Sequence, residues 1–227
     1  MTTRMACRAL AWLGLVAGLG APPALAQPAE LPAMVATLAG TAEVLSAGAT
    51  AWVPARLRAE VGEGGGMRTL GVGRAALRTG GGHALRLASF TSIQFPRGER
   101  APGDRLVRVQ LEAGRLWVAV LPSAGPRPAV EVLAGPVTVR VRGSGVGLRT
   151  NRDGSVLVRV YHGVASCSGP AERRDWEREL KAGEEILVPA AGAPGATRKL
   201  TREEEESLWV RWNEEQDATV YGGPPVK

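Results

Sequence analysis

Val137-Thr138-Val139-Arg140-Val141-Arg142-Gly143-Ser144-Gly145-Val146-Gly147-Leu148-Arg149-Thr150, then Asn151-Arg152-Asp153-Gly154, then Ser155-Val156-Leu157-Val158-Arg159-Val160 is the stretch whose reading decides the fold class. Val137, Val139 and Val141 alternate with Thr138, Arg140 and Arg142, and Val156, Val158 and Val160 repeat the period of two. That period places apolar side chains on one face of an extended strand and polar or cationic ones on the other, so each strand has one dry side and one wet side. Asn, Asp and Gly favour tight-turn backbone, and 151–154 reads as the hairpin turn between the two strands. Glycine pairs inside strands mark bulges, which is the reading of Gly143-Ser144-Gly145.

Working outward, Val107, Val109 and Leu111 alternate with Arg108, Gln110 and Glu112. Leu116, Val118 and Val120 take the face opposite Trp117 and Ala119. Turn signals recur about every 8–12 residues, the spacing of a sandwich, barrel or solenoid. The expected fold is all-β: a twisted β-solenoid-like or sandwich arrangement of about a dozen short strands over residues 34–190, with one short C-terminal helix. Residues 168–181 are dense in charge and interrupt the pattern, reading as a solvated loop or a helical turn pinned by Trp176 and Leu180.

Residues 191–200 form a linker rich in Gly and Pro. Thr201 with Glu204 three positions on is a capping box, and the acidic residues 203–206 suit the positive end of a helix dipole. A helix is therefore predicted over 201–213, followed by a polar, disordered tail over 214–227. Leu208, Trp209 and Trp212 form a narrow apolar stripe on that helix. A helix this short is marginal alone, so the stripe must lie against the β-domain or against a partner. Leu208, Trp209 and Trp212 are thus the candidate partner-binding residues.

The first residues read as an export signal. Arg4 and Arg8 precede an apolar run over 9–19, Ala21-Pro22-Pro23 breaks it, and Ala24-Leu25-Ala26 offers small residues before a cut between Ala26 and Gln27. The run is shorter than the about 20 residues that span a bilayer. Residues 1–26 are therefore expected to be a signal peptide and 27–33 a linker, with a periplasmic or secreted product and no transmembrane segment in the mature chain. Cys7 leaves with the leader, and Cys167 alone cannot form an intramolecular disulfide. The formal net charge of +6 reflects a general richness in arginine and, in an exported chain, argues against a nucleic-acid partner.

Catalysis and metal binding need convergent groups, and the supply is thin. Beyond the leader there are two histidines, His83 and His162, and one cysteine. A Ser/His/Asp reading would have to choose Ser144 with His162 and Asp153, and no Gly-x-Ser-x-Gly elbow of the hydrolase kind surrounds Ser144. Two histidines without clustered Cys or Asp do not make a zinc site. Neither Gly71-Val72-Gly73 nor Gly80-Gly81-Gly82 opens a helix or carries the lysine of a phosphate loop. No cofactor and no catalytic residue is expected. Trp52, Trp117 and Trp176 read as packing anchors, with a sugar-stacking platform as the alternative.

The ordered set of short motifs resembles the FecR domain, the extracytoplasmic module of FecR-type sigma-factor regulators. Ala39-Gly40-Thr41-Ala42-Glu43-Val44 resembles its opening strands, and Trp52-Val53-Pro54-Ala55 with Val61-Gly62 and Met67-Arg68-Thr69 its next segment. Gly73-Arg74-Ala75-Ala76-Leu77, Leu111-Glu112-Ala113-Gly114-Arg115-Leu116-Trp117-Val118 and Arg142-Gly143-Ser144-Gly145-Val146 are similar to the family's central strands. Val158 to Val164 and Leu180-Lys181-Ala182-Gly183-Glu184 resemble its close. Ser144 stands where the family usually has Thr, and Gly147-Leu148 where it has bulkier residues. The resemblance implies the family's β fold. It does not carry over sigma regulation, because the helical anti-sigma segment and the internal membrane helix are not recognisable. The expected protein is a stand-alone, non-enzymatic interaction or signalling module at the cell envelope, with an envelope or periplasmic protein as partner. A cell-wall glycan-binding accessory role is the alternative, and an unrecognised enzyme comes third.

Overall fold

The computed structural model describes residues 33–98, 106–120, 130–171, 175–201 and 207–221. The leader and cleavage site expected in 1–26 lie outside them. The hairpin read from the sequence forms as two long strands, β10 (Val137–Thr150) and β11 (Val156–Gly169), paired antiparallel from Thr138↔Ser168 to Thr150↔Val156. Its turn closes through Asp153, whose Oδ1 accepts from the Ser155 amide at 2.9 Å and the Ser155 hydroxyl at 2.7 Å. Those donations hold the Asp153 carboxyl below its ordinary range. A second long pair, β1 (Ala33–Leu45) and β4 (Gly66–Thr79), runs antiparallel from Ala33↔Thr79 to Leu45↔Gly66.

The two pairs are the flanks of a barrel. One edge of β4 carries β5 (Ala84–Leu87) and β6 (Ser92–Gln94), and the facing edge of β10 carries β8 (Arg115–Ala119) and β9 (Val130–Ala134). β5 pairs with β8, while β7 (Val107–Ala113) pairs with β6 on one side and runs parallel to β9 on the other. Following these pairings, β10-β8-β5-β4-β6-β7-β9 returns to β10, a closed ring. Closure leaves none of these inner strands as a bare edge. Outside the ring, β1 is extended by the short β2 (Val53–Pro54) and β3 (Glu60–Val61). Beyond β11 lie β12 (Trp176–Lys181), β13 (Glu184–Val188) and β14 (Arg198–Lys199). The all-β expectation holds, but four strands are 13 or 14 residues long rather than short, and they build one 14-stranded barrel-like sheet.

The core is the inner face. Leu77, Leu85, Ile93, Val109, Leu116, Val118, Val132, Val139, Leu148 and Val158 belong to one buried cluster, the positions that the period of two assigns to the dry side. Long strands bend to wrap it. β10 and β11 lose register between Arg142 and Gly145, where Gly143 takes φ +61° and Gly163, across the pair, φ +73°. The buried Ser144 staples this corner: its hydroxyl donates to the Val164 carbonyl at 2.6 Å and accepts from the Val164 amide at 2.9 Å. A β-branched side chain is strained at positive φ, so Gly143→Val should cost about 2 kcal/mol or more. Urea unfolding measures it, and an unchanged midpoint would remove this corner's role in closure.

Two local readings are corrected. The charged segment 168–181 is largely strand where a loop or helical turn was expected: β11 continues to Gly169, and β12 pairs with it from Val164↔Lys181 to Gly169↔Trp176. Its burial alternates, with Leu180 inside and Glu177, Glu179 and Lys181 exposed, so it is a one-sided edge strand. The expected linker 191–200 contributes β14, held by ion pairs from Arg198 to Glu185 and from Lys199 to Glu184.

The C-terminal helix, α1 (Leu208–Tyr221), begins seven residues later than the expected 201–213 and reaches well into the stretch read as a disordered tail. Thr201 is exposed and non-helical, so it does not cap the helix, and Glu204 lies outside the described residues. Ser207 takes the cap instead, its hydroxyl accepting from the Val210 amide at 3.3 Å. Tertiary contacts account for the added length, because the residues that hold α1 down include Asn213 and Asp217.

Candidate docking face

Side chains on the outer face of β5, β8, β10 and β11 line up in two rows across the strands. Register puts Arg86, Trp117, Gly147 and Arg159 in one row, and Ala84, Ala119, Gly145 and His162 in the other. The two glycines leave a trough. A Cβ on Gly147 would lie 3.1 Å from the Tyr161 ring, and one on Gly145 would lie 3.0 Å from the His162 ring. Into the trough lies Trp117, fully buried, stacked on Tyr161 with ring centroids 4.7 Å apart.

Helix α1 covers this trough. Val210 is buried and forms a second apolar cluster with Ala84, Trp117 and Ala119, rimmed by Tyr161 and Trp209. One and two turns further along the same face, Asn213 and Asp217 meet Arg86, whose side chain is only 3% exposed. Asp217 pairs with the Arg86 guanidinium at 2.6 Å and accepts from the Trp117 indole N–H at 3.1 Å. The fully buried Asn213 receives Arg86 at 3.4 Å on its backbone carbonyl and donates from Nδ2 to the Trp209 carbonyl at 2.8 Å. His162 approaches Glu214 at 3.5 Å at the edge. A buried guanidinium is costly unless paired and hydrogen-bonded, so the helix acts as the lid that makes Arg86 tolerable inside.

The candidate partner-binding residues fall around this contact rather than in its centre. Leu208 is 80% exposed. Trp209 and Trp212 are half-buried and stack on each other at 5.5 Å, with the Arg74 guanidinium 5.8 Å from the Trp212 ring. The central residues Val210, Asn213 and Asp217 were not legible, because two of the three are polar and a hydrophobic stripe search passes over them. The available signal was Arg86, a cation inside the apolar run Ala84-Leu85-Arg86-Leu87, which asks for a distant anion.

The other candidates are dispersed. Trp52 lies half-buried beneath Arg68, 4.6 Å from its guanidinium, and Trp176 packs on the core. With Trp117 fully covered, the three tryptophans do not make one exposed platform. Ser144 is the corner staple, His83 is buried, and Asp153 sits in the turn at the far end of the β10–β11 hairpin. Burial pushes the Cys167 thiol up to about 12, so it stays protonated at neutral pH. Among the described residues no cluster of three or more His, Cys, Asp or Glu is placed to hold a metal ion, and no helix is long and apolar enough to cross a membrane.

A closed all-β barrel flanked by two long bent strand pairs, with a helix latched on its outer face, defines the class. Residues 66–166, from the start of β4 into β11, match the family described as FecR protein. The matched span holds the central motifs, including Gly73 to Leu77 and Arg142 to Val146, and also Val158 to Val164, while the opening motif Ala39 to Val44 and the last closing motif, Leu180 to Glu184, lie beyond it. Two crystal structures of a candidate anti-sigma factor from Parabacteroides distasonis ATCC 8503 are similar. The structure at 1.65 Å resolution gives a TM-score of 0.49 at 16% identity, covering 65% of this chain and 63% of that one. The structure at 2.50 Å gives 0.48 at 16% identity, covering 60% of each. The chain thus spans about three fifths of the length of these neighbours. No curated protein matches it.

Proposed function

We propose that the chain is a non-catalytic signalling module that works by binding another protein at the cell envelope after export. The observation that carries this is the match to the FecR protein family over residues 66–166. The resemblance to FecR-type regulators implies a regulatory role, and the site described above is built for docking a helix, not for assembling reacting groups. The latch supports the same reading. It is a helix-receiving trough in use within the chain, with Leu208 exposed at its rim.

Two measurements test the reading. N-terminal sequencing of protein purified from the envelope fraction should begin at Gln27; an intact Met1 would count against cleavage. A photo-crosslinking residue placed at Leu208 in the living cell should yield one discrete protein adduct. A smear of glycan strands, or no adduct from any exposed position, would remove the protein-binding reading.

A further inference from the structure

Arg115 and Arg149 face each other directly across β8 and β10. Like charges at opposed positions of an antiparallel pair repel. Among the described residues, neither guanidinium has a carboxylate within ion-pair distance. Both are half-buried, and burial together with Arg149 and Arg159 holds the Arg115 pKa below its ordinary value. A sheet that keeps two such cations side by side is missing a counter-charge. With Arg74 and Trp209 they line an open cleft of about 420 Å³.

A second observation points to the same place. Phe90, also in the wall of that cleft, is 70% exposed and takes φ +53°, a conformation that bulky residues avoid. The turn around it is clamped. Thr91 Oγ accepts from the Arg115 amide at 3.0 Å, Thr69 Oγ accepts from the Thr91 amide at 3.0 Å, and Thr150 Oγ accepts from the Gly114 amide at 2.8 Å. The clamp holds a strained turn whose aromatic ring contributes little to the core. Backbone strain of this kind clusters at ligand-contacting sites, where the surrounding structure maintains it. Beyond Phe90 a second cleft of about 420 Å³ continues over Gly114, Gly135 and Asn151, so the ring stands between two hollows in one groove.

We propose that this groove binds an extended acidic segment of a partner protein, its carboxylates on Arg115 and Arg149 and an apolar side chain against Phe90. Arginine suits the carboxylates because its planar fork can donate two parallel hydrogen bonds. The inference rests on the protein-binding reading above and gives that reading a site and a partner chemistry.

The test uses the full mature chain and a fluorescein-labelled peptide of Glu-Glu-Leu repeats, read by anisotropy. The peptide should bind saturably and more weakly as salt rises. Arg149→Gln and Phe90→Gly should each weaken it at least about tenfold. Glycine adopts positive φ freely, so Phe90→Gly should leave the urea midpoint unchanged or raised, which a merely structural phenylalanine would not do. Equal binding by the wild type and both variants, or no binding at all, overturns the proposal. Complete displacement by inorganic phosphate with no dependence on Phe90 assigns a free-anion site and also overturns it. Binding seen only after the glutamates at 203–206 are replaced by Gln assigns the groove to the chain's own acidic run and overturns the partner. Repeating the Leu208 crosslink in the doubly substituted chain separates the two readings. An unchanged adduct sinks the groove and leaves the protein-binding role. No adduct from the wild type, beside Phe90-dependent peptide binding, sinks that role and leaves the groove.

Discussion

Asp217→Ala should lower the stability of the full chain by about 3 kcal/mol, because removing one partner of a buried ion pair leaves the other charge uncompensated. Arg86 has no route to water while α1 stays docked, its side chain being 3% exposed beneath the helix. Trp117 loses its indole acceptor in the same step. The helix can lift to rehydrate the guanidinium, which limits the loss to the free energy of docking. The double variant Arg86→Met/Asp217→Leu should lose far less, about 1 kcal/mol for the orphaned indole N–H, since apolar groups of similar volume often replace a buried pair at little cost. Urea unfolding of the three proteins decides the matter. Equal losses in the single and double variants would show that the pair does not hold the helix.

Trp117→Ala is expected to cost about 3–5 kcal/mol, the range for deleting a large buried aromatic. The site lies at the upper end because it cannot collapse: the neighbours across β10 are Gly145 and Gly147, which have no side chains to move into the void. Tyr161 loses its stacking partner and Val210 loses its floor, so α1 should loosen as well. Chymotrypsin should then cut at Trp209 and Trp212 well before it cuts the barrel. Trp117→Phe keeps a ring in the trough and should lose less than half as much. A Trp117→Ala protein that resists cleavage like the wild type would show that the helix is held elsewhere.

These two expectations sit where the sequence was least legible. The stripe Leu208, Trp209 and Trp212 pointed to the right helix and, through Trp209, to the rim of its contact with the barrel, but not to the centre of that contact. Hydrophobic spacing locates an apolar contact, and the centre of this contact is one valine flanked by Asn213 and Asp217. Those polar residues are favourable only opposite Arg86, 127 residues away from Asn213 in the chain. Segment 168–181 was missed for a related reason. Charge on an edge strand looks like a loop until its partner strand is known, because an edge strand with one wet face exposes every second residue.

What the sequence determined by itself was local: the period of two, the 151–154 turn, the bulge at Gly143-Ser144-Gly145, and from the order of its short motifs a resemblance to the FecR domain. Each follows from backbone preference and side-chain alternation within a few residues, which do not depend on what lies across the molecule. Tertiary structure alone decided the rest. The ring closes where β9 meets both β7 and β10, β12 is a strand because β11 continues far enough to pair with it, and α1 turns a polar face inward because a buried cation waits there. Pairings and ion pairs of this kind acquire their free energy when distant segments arrive together and water leaves, and no window of neighbouring residues carries that information.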